Sequence, residues 1–172
     1  GTGLASNYSL GASGTLTTTA SISPKALTIS GISADNKVYD ATTASTISVV
    51  GVTSSALQSG GMIAGDVVTV SATGVFDTKN VGTAKTVTLS ETISGADAGN
   101  YTITKQGTTT ANVTPKALTI SGLTSANKTY DGNNVAAVSV AGAAFKDMVV
   151  GDDLSIASIG TFSDKNVGES KT

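Results

Sequence analysis

Lys37-Val38-Tyr39-Asp40-Ala41 and Lys128-Thr129-Tyr130-Asp131-Gly132 put an ammonium, a phenol and a carboxylate close together, twice in one chain. Two chemistries are open to such a cluster. Asp40 and Asp131 could supply oxygen ligands to a cation or a polar ligand. Alternatively the carboxylate bonds backbone N–H groups two residues on and shapes a turn, with the Tyr ring packed against the fold. The turn is the expected reading, and it recurs because the surrounding sequence recurs.

Calcium would need six to eight oxygen ligands. Asp35, Asp40, Asp66, Asp77 and Asp97 lie near predicted turns, and Asp152-Asp153 is the densest acidic pair. No stretch has the Asp-x-Asp-x-Asp-Gly spacing of a calcium loop, so no cofactor is expected and Ca²⁺ stays a minor candidate. Catalysis has little to work with. The chain has no His, no Cys and no Arg, and its ten basic residues are all Lys. It therefore lacks a general base that titrates near neutral pH, a thiolate nucleophile and a guanidinium clamp. Glu91 and Glu169 are the only glutamates and do not occupy equivalent places. No enzyme is expected, and no catalytic residue is assigned. Lys25 and Asn112 fall on a first and a last predicted strand, positions at which some surface proteins form a Lys–Asn cross-link. Two exposed side chains is the simpler expectation, and intact mass would decide, since each bond releases one ammonia. Lys79-Asn80-Val81-Gly82 and Lys165-Asn166-Val167-Gly168 read as a turn with Asn or Gly at positive φ.

These residues must be carried on strands. Apolar residues alternate with Thr, Ser and Lys at Leu27/Ile29, Ile47/Val49, Val68/Val70/Ala72, Val87/Leu89, Tyr101/Ile103 and Ala111/Val113. Period two with one apolar face is the mark of antiparallel sheets that are wet on one side. No sustained helical stripe is visible. Strands are predicted near 26–30, 37–39, 45–50, 67–76, 84–91, 100–105 and 108–114. Short strands at this spacing predict an all-β chain of immunoglobulin-like antiparallel β-sandwich modules. Asp97, Gly99 and Tyr101, in Asp97-Ala98-Gly99-Asn100-Tyr101, resemble a tyrosine corner, in which the hydroxyl closes a loop onto backbone. A β-grasp-like module is the alternative, and it needs a helix.

The strands belong to a repeat. Pro24-Lys25-Ala26-Leu27-Thr28-Ile29-Ser30-Gly31 returns unchanged 91 residues later (115 − 24) as Pro115-Lys116-Ala117-Leu118-Thr119-Ile120-Ser121-Gly122. Past Gly51 the offset falls to 86 (152 − 66), so the second copy is five residues shorter there (91 − 86), a change loops tolerate. Residues 1–23 read as the C-terminal strands of a preceding module, 24–114 as a complete module, and 115–172 as the N-terminal part of a following one. The chain thus reads as an excerpt, with its last module frayed unless another segment completes it. Pro24 and Pro115 mark the module junctions. The net charge of −2 gives no basic field for nucleic acid, and the apolar runs are too short to span a bilayer.

Taken together, these motifs resemble the YDG-domain repeats of very large bacterial surface proteins, the filamentous-haemagglutinin-type adhesins exported by two-partner secretion. The residues are the Pro-Lys-Ala-Leu-Thr-Ile strings, Lys37-Val38-Tyr39-Asp40, Lys128-Thr129-Tyr130-Asp131-Gly132, the two Lys-Asn-Val-Gly turns and Gly95 through Tyr101. Ala41 departs from the motif glycine. The resemblance implies an extracellular or bacterial cell-surface location and a non-catalytic role in the stalk of an adhesin. Three functions follow as expectations: a spacer projecting an adhesive tip; a module binding host glycan or matrix through the loops at 52–65 and 143–151; or a self-associating fibre or biofilm subunit. The expected partners are neighbouring modules, like chains or a surface ligand, with no nucleic acid and no membrane insertion.

Overall fold

The structure, a computed structural model, describes residues 18–172. The first module carries β1 (Lys25–Thr28), β2 (Ser33–Ala34), β3 (Lys37–Val38), β4 (Ala44–Ser45), β5 (Ile47–Ser48), α1 (Ser54–Ser59), β6 (Thr69–Phe76), β7 (Gly82–Ser94), β8 (Tyr101–Thr104) and β9 (Thr108–Thr114). The described residues are therefore nearly all β, on strands close to those predicted. The main sheet runs β3-β9-β7-β6-β4. Its centre is the antiparallel β6–β7 ladder, from Thr69↔Ser94 to Phe76↔Val87.

Two ladders depart from the antiparallel expectation. β1 pairs with β8 in parallel, Lys25↔Tyr101 through Thr28↔Thr104, and β3 pairs with β9 in parallel, Lys37↔Val113 and Val38↔Thr114. Both have one separation, 76 residues (101 − 25 and 113 − 37), so two long segments run side by side as one interrupted ribbon. Alternation of apolar residues reports which face is buried and carries no information on strand direction. That is why the parallel pairs were not legible.

The interruption is patched by side chains. Between β8 and β9, Gln106 Oε1 accepts from Ile32 N–H at 2.9 Å and Gln106 Nε2 donates to Ile32 O at 2.7 Å. The amide side chain thus takes the place of a peptide unit in the ladder. The buried Glu91 accepts from the N–H groups of Gln106 (3.0 Å) and Gly107 (3.4 Å). Backbone groups freed by the break are satisfied locally, as burial requires.

The expected alternating residues form the core: Leu27, Ile29, Val68, Phe76, Val87, Leu89, Tyr101, Ala111 and Val113 are buried together with Ile32, Leu57 and Met62. Leu57 comes from α1, a helix that was not expected. Six residues make only about 1.7 turns, too few to display a periodic stripe. Thr53 caps it, its hydroxyl accepting from Ala56 N–H at 3.2 Å, and Gly60 O accepts from Thr28 N–H at 2.8 Å. Helix α1 falls in the stretch that is five residues longer in this copy.

The following segment carries β10 (Thr119–Ser121), β11 (Thr124–Ser125), β12 (Val135–Ala136), β13 (Val138–Ser139), β14 (Ala144–Lys146) and β15 (Gly160–Thr161). Strand β10, which repeats Thr28–Ser30 at the end of β1, pairs antiparallel with β14. An extended strand thus packs where the longer copy uses the end of its helix. Identical sequence meets different surroundings here. Leu27 and Ile29 are 0% and 1% exposed, whereas Leu118 and Ile120 are 37% and 46% exposed. The covering strand of the first copy, β8, has no counterpart within residues 115–172. One close contact is common to both copies. A Cβ on Gly31 would meet Gly51 O at 2.7 Å, and one on Gly122 would collide with Gly142 O. The octapeptide ends in glycine because backbone packs on backbone there.

Among the described residues no helix is long and apolar enough to cross a membrane, which says nothing about strands.

Candidate functional site

The Lys-x-Tyr-Asp segment follows β3, where the chain leaves the parallel ribbon. Asp40 Oδ1 lies 2.7 Å from Lys37 Nζ and accepts from the N–H and the hydroxyl of Thr42, both at 2.9 Å. Lys37 Nζ also donates to Thr42 O and Ala44 O, both at 3.0 Å. The lysine and the Thr42 N–H, in that order, hold the Asp40 carboxyl down at about 2. The second copy repeats the clamp. Asp131 Oδ1 lies 2.7 Å from Lys128 Nζ and accepts from Asn133 N–H at 3.1 Å, and Lys128 Nζ donates to Asn133 O and Val135 O. Lys128 and then the Asn133 N–H likewise lower the Asp131 carboxyl. Both aspartates thus bond an N–H two residues on. The residue after each takes the left-handed conformation, φ 63° at Ala41 and 82° at Gly132. Glycine suits that position sterically, and Ala41 occupies it at some strain.

The Lys-Asn-Val-Gly segments are turns, with one correction. The left-handed residues are Ala84 (φ 48°) and Ser170 (φ 49°), and not Asn80, Gly82, Asn166 or Gly168. They sit past the glycine, in the first copy at the register shift between Gly82 and Lys85. There the freed Ala84 N–H donates to Asn112 Oδ1 at 2.8 Å. A lysine closes each turn onto a carboxylate: Lys85 Nζ lies 2.8 Å from Asp77, and Lys171 pairs with Asp164. In the alignment of the copies that carboxylate has moved one residue along, and the same ammonium still finds it.

Asn112 is also held through its backbone, its N–H donating to Asn36 Oδ1 at 2.7 Å. Lys25 stands opposite Tyr101, eleven residues (112 − 101) back along the ribbon. The register separates the pair considered for a covalent cross-link.

Asp97, Gly99 and Tyr101 form a corner over the loop that follows α1. The Tyr101 hydroxyl accepts from Ile63 N–H at 2.8 Å and donates to Asp66 Oδ2, while Asp97 Oδ2 accepts from Val67 N–H at 2.8 Å. The hydroxyl does close a loop onto backbone, across 38 residues of chain (101 − 63). Burial and then the Asp66 carboxylate raise the phenol's pKa above its usual value. Asp40, Asp66, Asp77 and Asp97 are each committed to turns and loops. Among the described residues no three His, Cys, Asp or Glu side chains group as they would around a metal ion.

The two turns meet at the exit of the module. Tyr39 N–H donates to Thr114 O at 2.9 Å, and Thr114 Oγ1 donates to Lys37 O at 3.3 Å, so the motif grips the residue before Pro115. The Tyr39 hydroxyl then reaches the following module and donates to Asp152 Oδ1 at 2.8 Å. Lys79 Nζ, from the other turn, lies 3.9 Å from the same oxygen. The hydrogen bond to Asp152 raises the Tyr39 phenol, with desolvation adding to it. Sequence reading gave Asp152 no such role. The available signal was the Gly65-Asp66 dipeptide, which returns as Gly151-Asp152 at the 86-residue offset.

The profile of the YDG domain family matches residues 23–111 and again residues 114–172. No curated protein and no solved structure gave a match.

Proposed function

Because this chain belongs to the YDG domain family, with two matches in tandem, we propose that it is a run of non-catalytic spacer repeats in the stalk of a bacterial cell-surface or secreted adhesin. The observation carrying this reading is that the polar motifs serve turns in both copies, and in the first copy the module exit as well. Lys37–Asp40 and Lys128–Asp131 close equivalent turns at the same 2.7 Å. Repetition of architecture without a specialised site fits a part whose property is length.

Within the all-β class two finer architectures are open. The Tyr101 corner supports the immunoglobulin-like sandwich. Helix α1 packed on the core, and the parallel pairing of β1 with a late strand, support the β-grasp-like module, which we favour.

The test is display. Arrays with different numbers of repeats are placed beneath one adhesive tip on a bacterial outer membrane and viewed by electron cryotomography. The tip is expected to move outward in equal steps per repeat. A tip height independent of repeat number would overturn the spacer reading.

Self-association is the second reading, and one feature favours it. An open groove of about 880 Å³ lies between Ser125–Tyr130 and Phe162–Lys171. Its rims, Lys128 and Gly168, repeat Lys37 and Gly82, which both pair with Val113 of β9. By that register the groove would accept a β9-like strand, from its own module or from another chain. Residues 18–23 carry the β9 pattern, with Ile22 fully exposed at the place of Val113. Light scattering across concentration separates the readings: strand exchange gives growing mass, and a spacer alone gives none.

A further inference from the structure

We infer that the tyrosine of the Lys-x-Tyr-Asp motif is a latch between successive modules, its acceptor being the aspartate of the Gly-Asp loop of the next module. The inference rests on the tandem-repeat reading above and adds to it the means by which neighbours are held. Within one chain the motif occurs twice, and after the first copy the structure describes a following module. Tyr39, which has one, is partly buried against the core, and its hydroxyl lies 2.8 Å from Asp152 Oδ1. Tyr130, its counterpart within residues 115–172, is 57% exposed.

The acceptor is presented identically in both copies. Gly65 and Gly151 take positive φ, 99° and 95°. Asp66 N–H then donates to Ile63 O, and Asp152 N–H to Val149 O, both at 3.2 Å. The Tyr101 bond within the first module falls on Oδ2 of Asp66, whereas the Tyr39 bond between modules falls on Oδ1 of Asp152. One carboxylate can accept both. In a long array each such aspartate would join the corner tyrosine of its own module to the motif tyrosine of the module before it. Lys79 adds a cation near the same oxygen. The contact is head-to-tail, so it can repeat at each junction along a chain. Since Tyr39 N–H also holds Thr114 O, one residue fixes both the linker and the neighbour.

The chain has no cysteine, so nitroxides can be placed on Thr88→Cys and Ala157→Cys, one exposed position in each module. Double electron–electron resonance then reads the distance distribution between modules. One narrow distribution is expected in the parent. Tyr39→Phe and Asp152→Ala should each broaden it at least twofold, and the two together no more than either alone. Tyr130→Phe, the same change at the exposed counterpart, which is not part of the Tyr39–Asp152 junction, should leave the width unchanged. Thermal melts by circular dichroism check that the first module stays folded in every variant. An unchanged width in Tyr39→Phe, or equal broadening in Tyr130→Phe, would overturn the latch. If the latch fails while displayed arrays still lengthen in steps, the latch alone is lost. If arrays fail to lengthen while Tyr39→Phe broadens the distribution, the spacer reading is lost and the latch stands.

Discussion

Leu27→Ala and Leu118→Ala alter the same residue in the same octapeptide, and the structure separates their effects. Leu27 is 0% exposed, in β1 beside Ile103 of β8 and near the end of α1, and Leu118 is 37% exposed. Truncating a fully buried leucine loses its transfer free energy and leaves a cavity, about 3 kcal/mol or more. Truncating a leucine more than a third exposed loses only part of the transfer term and leaves no closed void, about 1 kcal/mol or less. The assay is urea unfolding of the whole chain followed by far-UV circular dichroism, whose main transition reports the large β6–β7–β9 ladder. With a slope of about 1.5 kcal/mol per molar urea, Leu27→Ala should lower the midpoint by about 2 M. Leu118→Ala should leave that transition within about 0.7 M of the parent, by the same slope. Equal shifts would show that burial in the first module does not come from β8 and α1, and would refute the reasoning about the repeat.

Three further outcomes are expected. Ala41→Gly should raise stability by about 0.5–1 kcal/mol in the same titration, because relief of a left-handed alanine exceeds the entropy glycine adds to the unfolded chain. Gln106→Ala should cost about 1–3 kcal/mol by leaving both backbone groups of Ile32 without their partner, and slowed Ile32 amide exchange should be lost. On acidification, the carboxyls of Asp40, Asp77, Asp131 and Asp164 are lowered from an ordinary 3.8, Asp40 to about 2. Lowered folded values mean their contribution is present above the unfolded value and is lost as pH falls through the folded one. The melting temperature should therefore be level above about pH 5 and drop between about pH 4 and 2, with a shallower drop in Asp40→Asn.

Local chemistry was legible in the residues themselves. Alternation marked Leu27, Val87 and Val113 as core, because burial on one sheet face is written at period two. Asp40 reaching the Thr42 N–H follows from the short reach of an aspartate, and the Tyr101 hydroxyl closing on backbone follows from the corner motif. What stayed hidden depends on distant chain. The parallel course of residues 25–38 and 101–114 leaves no trace in alternation. Leu57 sits on a helix too short to show a stripe. Gln106 mimics a peptide unit only because the ladder breaks at that point. Ala84 takes the left-handed conformation in place of the neighbouring Asn and Gly, because the strand restarts at Gly82 and the irregularity falls after it. At the candidate site, each turn was readable, but their meeting on Asp152 required knowing where the next module lies.

Small-angle X-ray scattering from concatenated repeats bears most directly on the idea that length is the property this chain supplies. Strand β7, 13 residues long, spans about 40 Å at ~3.3 Å per residue and sets the scale of one module. Arrays of two, four and six repeats should show a maximum dimension growing linearly, by about 30–40 Å per repeat, with the cross-section constant. A dimension that grows only as the cube root of mass, with modules folding back on one another, would contradict it.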